Sequence, residues 1–216
     1  SGLPGESRGI LPKVADWSGT TAPTVAFGQG YSLTAMQATS VFATIANDGV
    51  RVSPTVIAGT SDASGNYTPS AARESVRVIS SETAQKMRIM MESVVSANGT
   101  APTAAIAGYR VAGKTGTAMR IDDTCGCYRG YTASFIGFAP ADKPAYVISV
   151  TIQDPKGLHW GGALGGPVFK KVMSFVLQSK GIAPTGTTVD PVALTEKQLI
   201  AERKLAEQKA ARVKTN

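Results

Sequence analysis

Apolar and polar positions alternate along this chain with two different periods, and the period changes mark the elements. Residues 1–31 are rich in Gly, Pro and Thr and show little periodicity, which predicts irregular chain over a domain surface. Thr34-Ala35-Met36-Gln37 then reads as a capping box. Ala35, Ala38, Phe42 and Ile45 follow at steps of 3, 4 and 3, one helical stripe. Asn47-Asp48-Gly49 supplies a residue able to take positive φ and ends that helix. Its remaining faces carry Ala, Met and Val, so it is expected to be buried on most sides. Short β-like runs, Val50 to Val56 and Val76 to Ile79, flank a turn at Ser61–Asn66. A second helix is predicted from Ser80 or Ser81, with Glu82 in its first turn, Ala84, Met87, Met91 and Val94 as its stripe, and Asn98-Gly99 as its stop.

Three strand-like segments come next: Tyr109 to Met119, Tyr131 to Phe138 and Tyr146 to Gln153. Residues 139–144 join the last two as an antiparallel hairpin. Tyr131, Phe135, Ile136 and Phe138 point to both faces, the signature of a central strand covered on both sides. The Gly161–Gly166 run predicts a loop, and Pro167 the first residue of a further helix. Phe169, Val172, Met173 and Val176 are its expected apolar face, and Gly181 closes it. Residues 182–192 read as a Pro/Thr/Gly linker. Residues 193–216 read as an exposed, partly formed helix or a disordered tail, opening at Thr195 and Gln198 with a thin stripe of Leu194, Leu199 and Leu205. The sum is an α+β fold, an antiparallel sheet packed with helices. The division is one unit over residues 1–181 and a linker plus basic, polar tail over 182–216.

The chain has 216 residues, is 43% hydrophobic and 17% charged, which suits one packed core and argues against disorder over most of its length. No stretch approaches the roughly 20 consecutive apolar residues of a membrane-spanning helix. The segment opening Ser1-Gly2-Leu3-Pro4-Gly5-Glu6 is neither basic nor apolar, so it does not read as a signal peptide. The start without Met suggests a piece of something longer. Net charge is +7, with 22 Lys and Arg against 15 Asp and Glu, but the basic residues are scattered and not interleaved with aromatics. Nucleic acid is therefore not the expected partner. Cys125 and Cys127 are separated by Gly126 alone; with the single His159 they are too few for a zinc site, and no metal or cofactor is expected. A tight disulfide and a pair of reduced thiols both remain open for them.

The segment Gly108-Tyr109-Arg110-Val111-Ala112-Gly113-Lys114-Thr115-Gly116-Thr117 carries the chemistry. Letter for letter it matches the nucleotide-binding pattern Gly-x-x-x-x-Gly-Lys-Ser/Thr. That pattern needs a strand before the glycine loop and a helix after it. Here residues 109–112 read as strand, and the Gly126 turn leaves no room for a helix. Lys-Thr-Gly on a strand is the better reading, since that triplet occurs in serine acyl-transferring enzymes. Lys114 supplies fixed charge and helps move protons near a nucleophile. The Thr115 and Thr117 hydroxyls hydrogen-bond a carboxylate. Gly116 lets a substrate backbone lie along the strand, and the Thr117 N–H points at a developing oxyanion. Three residues alone specify little, and an exposed strand end fits them equally well.

The surroundings add specificity. Gly2-Leu3-Pro4-Gly5-Glu6-Ser7, Phe27 through Thr34, Ala46 through Val50, Tyr109 through Ala118, Phe135 through Pro140 and Gly165-Gly166-Pro167-Val168-Phe169 occur in order. In these the chain resembles the transpeptidase domain of class B penicillin-binding proteins over roughly residues 1–180. Cys125-Gly126-Cys127-Tyr128 is similar to the actinobacterial branch, in the group serving septal division. The resemblance implies the penicillin-recognising serine-transferase fold, with residues 109–119 lining the active site. It implies the D-alanyl-D-alanine end of a peptidoglycan stem peptide as substrate, β-lactam antibiotics as acylating mimics and divisome membrane proteins as partners. It also implies an N-terminal membrane anchor holding the full protein at the extracytoplasmic face. An exported location favours the Cys125–Cys127 disulfide.

One part of the pattern is missing. The family needs a Ser-x-x-Lys nucleophile, and no Ser of this chain has Lys three residues later. Ser96-Ala97-Asn98 imitates the second family motif but falls too close to Lys114, and is read as helix capping. The expectation is a C-terminal part of a transpeptidase domain, unable to acylate alone and exposing apolar surface where absent elements pack. The alternative is a non-catalytic cell-wall or divisome binding module; nucleotide binding is a distant third. His159, the single His, lies in the Gly-rich loop Gly157-Leu158-His159-Trp160-Gly161 and is assigned a surface or hydrogen-bonded loop role in preference to one at the substrate cleft. Arg120, Tyr128 and Arg129 are candidates for touching the peptide, by proximity in sequence.

Overall fold

The capping chemistry does form the two central helices. In a computed structural model, which describes residues 4–122 and 124–186, the Thr34 hydroxyl accepts from the Gln37 N–H at 3.1 Å and Gln37 Oε1 accepts from the Thr34 N–H at 2.9 Å. This satisfies orphan donors at the start of α2 (Ala35–Ala46). Ser80 caps α3 (Ser81–Glu92) in the same way through the Thr83 N–H. α3 stops earlier than the Asn98-Gly99 signal predicts: a 3-10 turn takes over at Ser93–Val95, with the Ser96 hydroxyl donating to the Ser93 carbonyl at 2.7 Å. The amino-terminal stretch is also less irregular than expected, since α1 (Thr21–Ala26) and a 3-10 turn at Val14–Asp16 lie within it.

Between α2 and α3 the chain forms β1 (Val50–Val52), β2 (Gly59–Ser61), β3 (Tyr67–Pro69) and β4 (Ser75–Arg77). β1 pairs with β4 and β2 with β3, both antiparallel. Asp62 accepts from the Ser64 and Asn66 N–H groups at 2.9 Å and tightens the predicted turn.

The main sheet is antiparallel in the order β5-β6-β7, made of β5 (Ala112–Asp122), β6 (Cys127–Ala139) and β7 (Tyr146–Gln153). β6 is the central strand that its two-faced apolar pattern implies. β5 begins three residues later than predicted. Gly108 takes φ of 82° in a turn, and Tyr109 is drawn aside by its hydroxyl, which donates to the Ile182 carbonyl at 2.6 Å. Opposite Arg120, β6 carries one extra residue between Tyr128 and Tyr131, and Gly130 absorbs the bulge at φ of 74°.

Each face of the sheet has its own core. On one, Phe135 meets α4 (Gly161–Ser179) through Phe169, ring centroids 4.9 Å apart and edge-on, with Met173 and Leu177 beneath, all fully buried. On the other, Phe138, Ala112 and Ala141 meet Ile45 of α2 and Met91 of α3. Burying each such large side chain contributes about 1.5–3 kcal/mol. Beneath the sheet's edge the Glu92 carboxylate takes both Arg110 Nε, at 2.8 Å, and a terminal nitrogen, at 2.7 Å.

α4 departs from expectation in two ways. It begins at Gly161, so the glycine run predicted as a loop is helix and Pro167 is its seventh residue, not its first. Gly161, Gly162, Gly165 and Gly166 are all buried, and a Cβ on any of them would collide with the sheet, the Thr100 carbonyl or the 3-10 turn at Pro102–Ala104. Close approach, not helix propensity, selects them. Secondly, Val172 is exposed rather than core, and with Val168 and Phe175 (70% exposed) forms an uncovered apolar stripe. α2 is likewise only half covered: Val41 is 51% exposed and opens onto a cavity of about 690 Å³ with Met36, Ile45, Ile79 and Met87 in its walls. Residues 182–186 lie against the body, where the Gly186 N–H reaches the Gly108 carbonyl. The expected tail over 193–216 and its capping pair fall outside the described residues.

Candidate active site: the free edge of strand β5

The Lys-Thr-Gly triplet lies near the start of β5, whose outer side pairs with no other strand among the described residues. The direction of its backbone groups follows from the register. The Ala139 and Tyr131 carbonyls of β6 bond to Ala145 and Asp154, on the β7 side. Odd-numbered residues of β6 therefore face β7, and even-numbered ones face β5. Ala112, Lys114 and Gly116 pair with Phe138, Ile136 and Ser134. Gly113, Thr115 and Thr117 consequently turn their N–H and C=O groups to the open edge. The strand from Gly113 to Thr115 also removes the nucleotide-loop reading, because these residues are paired in a sheet and the strand runs on to Asp122 instead of turning into a helix.

Side chains divide by the pleat. Thr115 and Thr117 lie on the face carrying α4; Lys114 and Gly116 start from the face carrying α2 and α3. The Lys114 side chain crosses back around the edge, and its Nζ donates to the Thr115 carbonyl at 3.0 Å and stands 3.4 Å from Thr115 Oγ1. Thr117 Oγ1 accepts from the N–H of Gly161, the first residue of α4, at 3.2 Å. That bond uses a lone pair and leaves the hydroxyl proton free to donate. It also places Thr117 at the positive end of a 19-residue helix. An ammonium, two hydroxyls, a helix N-terminus and outward peptide N–H groups thus converge on one open strand edge.

Sequence reasoning missed two contributors, the Gly161 N–H and Thr100. Thr100 Oγ1 is 3.2 Å from Thr115 Oγ1. Asn98-Gly99 read as a helix stop with no role for Thr100 beyond it, and the Gly161 run read as a loop, so neither signalled a site contact.

The far end of the hairpin carries the remaining candidates. Cys125 and Cys127 are joined in a disulfide, Cα atoms 5.2 Å apart, at its tip. Asp122 is held below the usual carboxylate range by the Thr124 hydroxyl, then by the Thr124 N–H and the charge of Arg120. Arg129 pairs with Asp122 at 3.2 Å, while Tyr128 projects outward. The hydrogen bond from Lys156, its charge, and the charge of Arg120 lower Asp154. His159 is not free in its loop: it stacks on Tyr131, centroids 4.0 Å apart and nearly parallel, and leads through Trp160 into α4. Among the described residues, no group of three or more His, Cys, Asp or Glu could hold a metal. No helix among them is long and apolar enough to cross a membrane.

Comparison with known proteins meets this geometry. Residues 1–174 match the family model of the penicillin-binding protein transpeptidase domain. The chain belongs to that family. It is 41% identical over 203 residues to penicillin-binding protein PbpB of Mycolicibacterium smegmatis, covering 89% of this chain and 31% of that protein. It is 35% identical over 186 residues to a probable peptidoglycan D,D-transpeptidase, PenA of Neisseria flavescens, covering 86% of this chain and 44% of that one. Among solved structures, penicillin binding protein 3 of Mycobacterium tuberculosis, complexed with aztreonam, superposes with a TM-score of 0.78 at 39% identity, over 89% of this chain and 45% of that chain. The mycobacterial relatives agree with the actinobacterial branch expected from Cys125-Gly126-Cys127-Tyr128. The 216 residues span about a third of the length of PbpB, and their fold is that of the transpeptidase domain.

Proposed function

We propose that this chain supplies the substrate-holding edge strand of a peptidoglycan D,D-transpeptidase whose attacking serine lies in polypeptide outside these 216 residues. The observation that carries the reading is the convergence on the open edge of β5. Lys114 Nζ sits at the Thr115 carbonyl, and Thr117 directs its N–H to the same side with its hydroxyl proton free. That no Ser of the sequence has Lys three residues later supports a nucleophile supplied by other polypeptide.

The roles follow from the chemistry. A stem peptide ending in D-alanyl-D-alanine adds along β5 as a further strand. Its terminal carboxylate takes the Thr115 and Thr117 hydroxyls beside the Lys114 charge. The Thr117 N–H donates to the carbonyl oxygen as it becomes an oxyanion. The serine attacks that carbonyl, the C–N bond breaks, D-alanine leaves, and a neighbouring stem's amine takes the acyl group. A β-lactam enters by the same carboxylate and acylates the serine. Residues 1–181 form the transpeptidase unit, and residues 182–186 continue against it. The whole protein works at the extracytoplasmic face of the membrane with divisome proteins as partners.

Fluorescent penicillin tests this on the chain alone and on the chain joined to a Ser-x-x-Lys segment of its own gene. The expected result is covalent label only on the longer form, lost in Lys114→Ala. No label on the longer form overturns acyl transfer and favours a non-catalytic binding module. Label on the short form locates a nucleophile among these residues and overturns the assignment of the serine.

A further inference from the structure

We infer that Thr100 is a positioning residue of this site: its hydroxyl fixes the Thr115 hydroxyl, so that Thr115 donates outward to the carboxylate of a bound peptide or β-lactam. The inference rests on the reading above and assigns a role to a residue outside the Lys-Thr-Gly strand.

The hydrogen-bond directions carry the argument. Thr115 Oγ1 has one proton and two lone pairs. Lys114 Nζ approaches it as a donor at 3.4 Å, and Thr100 Oγ1 lies 3.2 Å away, free to donate or accept. When a carboxylate arrives it can only accept, so Thr115 must turn its proton to it. Thr100 must then donate to Thr115. Two donors on Thr115 Oγ1 fix its orientation, as the Gly161 N–H does for Thr117 Oγ1. Both hydroxyls of the edge are thus held from behind by groups on the α4 side.

Thr100 is built to do this. Its own side chain is exposed, but the backbone around it is clamped. Ala101, fully buried, donates its N–H to the Val94 carbonyl at 2.8 Å. Gly99 backs onto the Ser93 and Val94 carbonyls so closely that no side chain fits there. Gly162 of α4 lies against the Thr100 carbonyl, and Thr103 Oγ1 donates to the Gly162 carbonyl at 2.9 Å. A surface hydroxyl with no task needs no such bracing.

The test measures acylation of the full-length transpeptidase by a fluorescent penicillin across concentration, which separates the initial binding constant from the limiting acylation rate. Thr100→Val should weaken initial binding by about tenfold, the worth of one hydrogen bond to a charged group's partner, with the limiting rate little changed. Thr100→Ser should restore it. With the penicillin carboxylate blocked as an ester, wild type and Thr100→Val should bind alike. Equal binding of the free acid by wild type and Thr100→Val overturns the inference. So does an equal loss for acid and ester, or a loss that Ser does not rescue, since both mark a structural role. A wild type that is never acylated sinks the transpeptidase reading instead. The Thr115 γ-methyl resonance of the present chain then decides the Thr100 question: one side-chain rotamer with Thr100 and an averaged one in Thr100→Val is expected, and averaging in both overturns it.

Discussion

Replacing Gly161 with Ala tests how the sheet and α4 hold the site together. By intrinsic propensity the change should help, since Ala in a helix is favoured over Gly by about 1 kcal/mol. The structure argues the reverse. A Cβ at residue 161 would collide with the carbonyl oxygens of Ser134 and Gly116 and stand 3.0 Å from the Ser134 nitrogen. A carbon and an oxygen need about 3.3 Å. These are backbone atoms of paired strands and have no rotamer to change, so the first turn of α4 has to lift by on the order of 1 Å. Such overpacking costs about 1–3 kcal/mol. Lifting also breaks the bond from the Gly161 N–H to Thr117 Oγ1, worth about 1 kcal/mol. The net is a destabilisation of about 1–3 kcal/mol once propensity is subtracted. Urea unfolding followed by Trp fluorescence measures it, with Gly19→Ala, whose Cβ meets nothing within 4 Å, as the control. Gly19→Ala should stay within about 0.5 kcal/mol of wild type. An unchanged or raised midpoint in Gly161→Ala would refute the close-approach account of the glycine run.

Other consequences are as direct. Glu92→Ala leaves the Arg110 guanidinium without its bidentate partner under the sheet, where the Glu92 side chain is 2% exposed, and should cost about 3–5 kcal/mol in the same unfolding assay. Replacing both members with apolar residues of similar volume should recover most of the loss; a double variant as weak as the single would contradict the pairing argument. Asp122 has a depressed pKa in the fold, so the hydrogen bonds of the hairpin tip stay intact above the unfolded value near about 4 and are lost only as pH falls through the lower folded value. A carboxyl carbon NMR titration of Asp122 should therefore show a midpoint below that of an exposed Asp, and a normal or raised midpoint would contradict it. Lys114→Ala should weaken binding of β-lactams bearing a free carboxylate far more than of their esters, and equal losses would remove Lys114 from carboxylate recognition.

Much of the frame was readable in local chemistry. Thr34 with Gln37, Ser80 before Glu82, and the turn at Asp62 each specify their element through side chains bonding nearby backbone, so sequence alone locates them. β7 emerged with the predicted bounds because its period-2 pattern is framed by turn residues. The failures share one cause, long-range contact overriding local preference. The four glycines between 161 and 166 have the worst local propensity for helix short of proline, yet the close contacts beneath the helix demand them. The spacing 161, 162, 165, 166 is a helical stripe of small residues, and that signal was available. The start of β5 was shifted by the Tyr109–Ile182 hydrogen bond, which joins positions far apart in sequence. α2 was expected to be covered on most sides because its composition is apolar; the cavity beside Val41 shows that composition marks what is meant to be covered and not what covers it. The Lys-Thr-Gly triplet gave the edge strand, while the hydroxyl behind it, Thr100, comes from a segment that sequence proximity could not connect to it.

The most direct measurement is a crystal structure of the full-length protein acylated by a β-lactam. The account predicts the acyl carbonyl oxygen about 2.7–3.1 Å from the Thr117 nitrogen. It also predicts the carboxylate on the Thr115 and Thr117 hydroxyls beside Lys114, along the open edge of β5. An acyl group whose carbonyl and carboxylate sit away from that edge would contradict it.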